Sequence, residues 1–275
     1  MELDLRLEAA AASELAENML EEEHFHVPAV NWNFTTERVM MMEWVDGIKL
    51  SDVDALKAAG HDLDKILMKL SEVFFKQAFR DGFFHADPHP GNLFIDKHSR
   101  IVAVDFGIMG RLDWRTRLYV AEIFDGFLKE DFHRVAKAHF DAGYVPQNQN
   151  VEEFSTACRA IAMPILNKPA NEISIGKLLG QLFKVTEAFD MPTRPELLLF
   201  QKNLVVVEGV GRMLNPDTNM WELARTPIEE WARENFSIKG KAKFALQHLQ
   251  EMAEMLPLLL RKLENELKDN NTRTS

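Results

Sequence analysis

Cysteine is nearly absent from the 275-residue sequence: Cys158 stands alone. One thiol closes no internal disulfide, and a reducing compartment fits. No apolar run approaches the roughly 18 residues that cross a bilayer. The longest candidate, Met255 to Leu260, is broken by Pro257 and stopped by Arg261. The start of the chain lacks the basic n-region of a signal peptide. Positive charge is in deficit, with 32 Lys plus Arg against 43 Asp plus Glu and a net charge of −11. Phosphate backbones are held by clustered Lys and Arg, so nucleic acid is excluded as a partner. No GxGxxG follows a strand, which argues against a flavin monooxygenase. Internal repeats and low-complexity tracts are missing as well.

What remains is an ordinary globular balance, 46% hydrophobic and 27% charged, enough for a sizeable core in one or two domains. Glu2 to about Glu23 is rich in helix formers, with Leu3, Leu7, Ala10, Ala11, Leu15 and Met19 at helical spacing. Glu2, Asp4 and Glu8 near its start suit a helix N-terminus. Two β-like runs, Val30 to Phe34 and Arg38 to Met42, predict a hairpin. Glu43 to Gly47 predicts a connector, with Gly47 as its turn. Ser51 is a plausible N-cap for a short helix, and Asp62 starts a longer one that Gly82 ends. After Gly110 the pattern is almost wholly helical. Helices are predicted over 114–128, 132–142, 151–166, 175–189, 196–214 and 238–267, with breaks that include Pro195 and Pro227. The fold class is therefore α+β, a small α/β portion joined to a larger helical one.

Phe83 to Gly107 lies at that junction, where ligand sites are favoured. Asp87 and Asn92 flank a loop of two prolines and a glycine. Asp105 follows after two short strands and a turn, and precedes Phe106-Gly107. Asn and Asp at the ends of a hairpin form a hard-oxygen pair suited to Mg²⁺, which keeps several waters. Asp87, left off the metal, can accept a hydrogen bond from an attacking hydroxyl. That division of labour belongs to phosphoryl transfer. Either motif alone is a weak signal; joined in this order and spacing they are a strong one.

His85-Ala86-Asp87 with Asn92, then Asp105-Phe106-Gly107, resembles the catalytic and metal-binding loops of the protein-kinase superfamily. The form HADPHPGNLFI followed by VDFGIMGRLD resembles the UbiB family of atypical kinase-like proteins, associated with ubiquinone biosynthesis. Three further stretches agree. Glu2-Leu3-Asp4 with Glu8-Ala9 is similar to the family's ExD motif and αC glutamate. The stretch PAVNWNFTTERVMMMEWVDG is similar to its strands and hinge, with Met42 as gatekeeper. LLLFQKNLVVVEGVGRMLNPDTNMW, with Lys202, Glu208, Gly209, Arg212 and Pro216, resembles a C-lobe segment.

The resemblance implies a kinase-like fold with ATP and Mg²⁺ as cofactors. It divides the chain into a partial N-lobe (1–46), a helical C-lobe (47–235, catalytic hairpin 83–107) and an amphipathic helix with a frayed tail (236–275). Asp87 orients or deprotonates the acceptor, and Asn92 and Asp105 bind Mg²⁺. Glu43 and Val45 offer backbone groups to adenine, Glu8 pairs with a phosphate-binding lysine, and Glu2 and Asp4 form a regulatory motif. His85 buttresses the loop near Phe106; His89 is a solvated or turn-packing residue. The implied partners are ATP, a quinone-precursor lipid or quinone-biosynthesis proteins, and a membrane surface, in the cytoplasm or peripherally at the inner membrane.

Departures from the family pattern set further expectations. Ala86 replaces the arginine of many protein kinases, and the chain passes from Gly107 through Asp113 into helix without an activation segment. Water, a small molecule or a lipid-like quinone precursor is then as good an acceptor as a protein. The family's nucleotide loop, strand lysine and KxGQ helix precede the αC helix, so the chain reads as a piece truncated at its start. The alternatives are a nucleotide-sensing scaffold without turnover and a small-molecule kinase of the aminoglycoside or choline type. The helix over 238–267, basic at Lys239, Lys241 and Lys243, predicts either membrane association or packing on the C-lobe.

Overall fold

In the computed structural model, residues 4–166, 175–217 and 220–235 are described. The expectations for Glu2 and for the segment 236–275 lie outside the described residues. Met1–Glu229 forms one compact unit and Glu230–Ser275 a second, of which the last turns of one helix are described.

Helix α1 (Leu5–Asn18) starts at Asp4, whose carboxylate accepts from the Arg6 amide at 3.1 Å. Its buried residues are Ala9, Ala12 and Leu15, followed by Met19, whereas Leu7 is 51% exposed. Leu15 and Met19 are buried as predicted, but Ala9 and Ala12 take the place of Leu7, Ala10 and Ala11, so the packed face is rotated toward them. Small residues allow close approach, and the rotation brings Glu8 onto the same face as Ala12 and Leu15.

The expected hairpin at 30–42 is reduced to a single antiparallel bridge, Val30 to Met42, around a 3₁₀ turn at Trp32–Phe34. Asn31 N donates to Met41 O at 2.8 Å and Glu43 N to Ala29 O at 2.8 Å, so the chain reverses without a ladder. Trp32, Phe34, Val39 and Met41 are all exposed. Strand propensity reflects fit to a half-buried pleated surface, and no described strand pairs with these residues.

Four short strands form one sheet in the order β1 (Phe25–His26), β5 (Ile101–Ala103), β4 (Leu93–Asp96), β2 (Gly47–Lys49). The β4–β5 hairpin turns through Ser99 at φ +59°. Asp96 braces the turn by accepting from His98 N, Arg100 N and the Arg100 guanidinium. Gly47 is a strand residue paired with Asp96, not a turn. A Cβ there would stand 2.9 Å from Ile95 O, so close strand approach is what selects glycine. Strands β3 (Phe83–His85) and β6 (Met109–Arg111) pair antiparallel in a second, two-stranded sheet.

Helix α2 (Val53–Ala58) is capped by Asp52, which accepts from Ala55 N, rather than by Ser51. Helix α3 (Leu63–Phe75) is capped by Asp62 and runs into a π-helical turn (Lys76–Asp81) that Gly82 ends at φ +68°. Glu22 receives both Lys76 and Arg80 at 2.7 Å, tying the end of the α1 region to that turn. Helices α4 (Trp114–Leu128), α5 (Phe132–Asp141), α6 (Val151–Leu166), α7 (Ile175–Ala188), α8 (Pro195–Leu214) and α9 (Met220–Asn235) follow. Pro195 opens α8, at the break predicted before it, whereas Pro227 lies within α9 and ends no helix. Proline is accepted at a first helical turn because the missing N–H has no partner there.

Two apolar clusters matter for the site. Phe132, Val135, Phe140, Phe154 and Cys158 pack α5 against α6. Phe200 of α8 stacks on Phe74 at 5.7 Å and meets Phe84 and Phe79 edge-on at 6.1 and 5.8 Å. That ring cluster locks α8 to α3 and β3, the strand that leads into the loop at Asp87.

Candidate active site

The loop between β3 and β4 is shaped by its own hydrogen bonds. His89 N donates to Asp87 O at 2.7 Å, Asn92 N to His89 O at 2.8 Å, and Gly91 N to His89 Nδ1 at 3.1 Å. His89 is exposed and packs the turn, so both of its expected descriptions hold. His85 is buried, and desolvation pushes its pKa down. Its Nδ1 accepts from Asp87 N at 3.2 Å, and its ring lies 5.8 Å from that of Phe106. A neutral ring with Nδ1 as acceptor thus braces the start of the loop, where a buttress was expected.

Val104 N donates to Asn92 O at 2.9 Å, which sets the end of β5 beside the loop. Asn92 Nδ2 then reaches Asp105 Oδ2 at 3.1 Å. Asp105 is held at φ +68°, a left-handed conformation uncommon outside glycine, and is exposed. Local strain of this kind clusters at ligand sites. Glu8 reaches in from α1, its Oε1 accepting from Phe106 N at 3.0 Å. So α1, the loop and the Asp-Phe-Gly turn meet at one place. Asn92 and Asp105 supply hard oxygens that fit Mg²⁺, an ion that takes few protein ligands and keeps waters. Among the described residues no group of three or more His, Cys, Asp and Glu could hold a metal.

The other predicted residues are placed as follows. Met42 is half-buried at the bridge to Val30. Glu43 Oε2 accepts from Ala29 N at 3.2 Å and pairs with His26 Nε2 at 2.9 Å. The Ala29 amide, with His26 beside it, holds this carboxyl below its ordinary range. Among the described residues the Glu43 carbonyl and Val45 amide have no hydrogen-bond partner. Asp4 is committed to Arg6, which lowers its pKa, and caps α1.

Sequence reasoning assigned no role to two α8 residues. The Lys202 ammonium pairs with Asp87 Oδ1 at 3.0 Å across 115 positions. Fully buried Asn203 donates to the His85 carbonyl. Partners so far apart in sequence leave no local spacing signal. A separate apolar cavity of about 210 Å³ lies among α4–α8, lined by residues such as Phe127, His139 and Leu204; none of Asp87, Asn92 and Asp105 lines it.

The ABC1 atypical kinase-like domain matches residues 1–139, and the UbiB helical domain matches residues 158–219. The chain is 39% identical over 260 residues to a probable protein kinase UbiB of Marinobacter nauticus, covering 93% of this chain and 48% of that protein. It is 40% identical over 257 residues to the probable protein kinase UbiB of Histophilus somni, covering 91% and 47%. The chain thus spans about half the length of the curated relatives it matches. Rv3197 of Mycobacterium tuberculosis, solved in complex with erythromycin, shares the fold at a TM-score of 0.56 and 22% identity, over 84% of this chain and 59% of that one. From its loops, its helical portion and these matches, the chain belongs to the ABC1/UbiB family of atypical kinase-like proteins.

Proposed function

We propose that this chain carries the metal and acceptor side of an Mg-ATP-dependent phosphoryl-transfer site that supports quinone biosynthesis. The observation that carries the reading is the contact of Asn92 with Asp105 at 3.1 Å, in a loop that begins at half-exposed Asp87. In this reading 1–46 is a partial N-lobe and 47–235 the helical C-lobe.

Asn92 and Asp105 hold Mg²⁺, which when bound neutralises charge on the nucleotide phosphates. Asp87 Oδ2, without a hydrogen-bond partner among the described residues, accepts the proton of the attacking hydroxyl. The Glu43 carbonyl and Val45 amide take adenine, with Met42 beside it. Glu8 steadies the Asp105-Phe106-Gly107 turn through Phe106 N; its other oxygen is available to a phosphate-binding lysine. The acceptor is water or a small quinone-precursor lipid. What supports this over a peptide is the short path from Gly107 to Asp113, the N-cap of α4, most of it taken by β6. No helix among the described residues is long and apolar enough to cross a membrane.

The test is phosphate release from ATP by the full protein that carries this sequence. Asp87→Asn and Asp105→Asn should each lower turnover by about 10² or more, as removal of one transition-state contact does. Wild-type turnover in both variants would defeat the reading.

A further inference from the structure

We propose that Lys202 of α8 is the cation that contacts the phosphoryl group during transfer, so that the helical portion of the chain completes the chemistry of the loop. The inference rests on the phosphoryl-transfer reading above. The loop from Asp87 to Asn92 runs through Pro88, His89, Pro90 and Gly91, with no Lys or Arg. His89 is occupied with the Gly91 amide. Negative charge on the transferring group is stabilised by positioned cations. A loop without one leaves that work to another element.

Lys202 is placed for it. Its Nζ stands 3.0 Å from Asp87 Oδ1, and the two side chains are 48% and 36% exposed. A half-exposed ion pair contributes at most about 1 kcal/mol to folding, so stability gives little reason for so specific a placement. The residues around Lys202 fix its position. Phe200 lies in the buried ring cluster, and Asn203 is bonded to the carbonyl of His85, two residues before Asp87. The helix is thus registered against the loop on both sides of the lysine, while the amine stays accessible to a ligand.

An ammonium has three donors. One serves Asp87 Oδ1 and leaves that carboxylate's Oδ2 for the acceptor. The others are available to phosphoryl oxygens. In the transfer the acceptor oxygen bonds to the γ-phosphorus while the bond to the β,γ-bridging oxygen breaks. ADP leaves with that electron pair, and the acceptor proton passes to Asp87. Lys202 keeps its protons throughout and offsets charge on the peripheral oxygens.

The test uses the full protein with Lys202→Ala, Lys202→Gln and Lys202→Arg. Phosphate release, binding of a fluorescent ATP analogue and melting temperature are measured on each. The expected result is a fall in kcat of about 10² or more for Ala and Gln, with analogue affinity within about threefold of wild type. Lys202→Arg should retain more activity than either. Added ethylamine should raise the rate of Lys202→Ala in a concentration-dependent way and leave wild type unchanged. A residue that merely ties α8 to the loop gives a lower melting temperature and no response to amine; that result overturns the proposal. So does wild-type kcat in Lys202→Ala. If wild type itself releases no phosphate, the underlying reading fails; if wild type is active and the Lys202 variants equal it, only this inference fails.

Discussion

Asn203 tests how the helical portion positions the catalytic loop. It is fully buried, and its Nδ2 donates to the His85 carbonyl, itself in a buried residue. Asn203→Ala leaves that carbonyl without a partner, at a cost of about 1–3 kcal/mol. Truncation opens a small void as well. Against this, Asn203 Oδ1 is buried without a hydrogen-bond partner, and its removal returns part of the loss. The net cost is about 2 kcal/mol, which at about 2–4 °C per kcal/mol for a domain of this size lowers Tm by about 4–8 °C. Asn203→Asp should be worse, since it sets a carboxylate oxygen against a carbonyl. Thermal melts by circular dichroism read both numbers, and phosphate release below Tm reads the effect on Asp87. If Asn203→Ala melts within about 1 °C of wild type, or Asn203→Asp is the milder change, the hydrogen bond is not what holds α8 to the loop.

Two further outcomes follow from buried residues in the same unit. His139 is fully buried, Nδ1 against Val135 O at 2.8 Å, and desolvation pushes its pKa down to about 4 from an ordinary 6.5. The unfolded chain then binds a proton between those values that the folded chain does not. Stability is complete above about pH 6.5 and declines toward pH 4, by roughly 3 kcal/mol at the limit. Urea melts at pH 7 and pH 5 should show the decline, and His139→Phe should reduce it; an equal slope in the variant counts against the burial argument. A Cβ on Gly110 would overlap the Phe84 ring, which is fully buried and pinned by Phe74 and Phe200. Gly110→Ala should therefore cost about 1–3 kcal/mol, read as a lower Tm, and an unshifted Tm would show that the ring has room.

The parts of the molecule that were legible in sequence are those written locally. Asp62 before an apolar helical pattern and Gly82 after it mark the limits of α3 and its π-helical extension. The run from Asp87 to Gly107 encodes loop, hairpin and acidic turn within one stretch, and the structure brings Asn92 and Asp105 into contact. Non-local placement was not legible. The segment 30–42 has strand-like residues but meets its own other half at a single bridge. The α1 periodicity fitted an apolar face, yet close packing chose Ala9 and Ala12 over Leu7. Gly47 looked like a turn because its closest neighbour, Ile95 O, belongs to a strand nearly fifty residues away. Lys202 lies in a segment that resembles the family's C-lobe, but neither it nor Asn203 carries a local signal of its partner; the packing of Phe200 reveals where they reach.

The most direct test of the central claim is binding of Mn²⁺, as a stand-in for Mg²⁺, to the full protein with an ATP analogue, followed by electron paramagnetic resonance. The account predicts that protein-bound Mn²⁺ in wild type is lost in Asp105→Ala and in Asn92→Ala, and retained in Asp4→Ala, whose carboxylate caps α1 and pairs with Arg6. Equal Mn²⁺ binding in wild type and Asp105→Ala would contradict it.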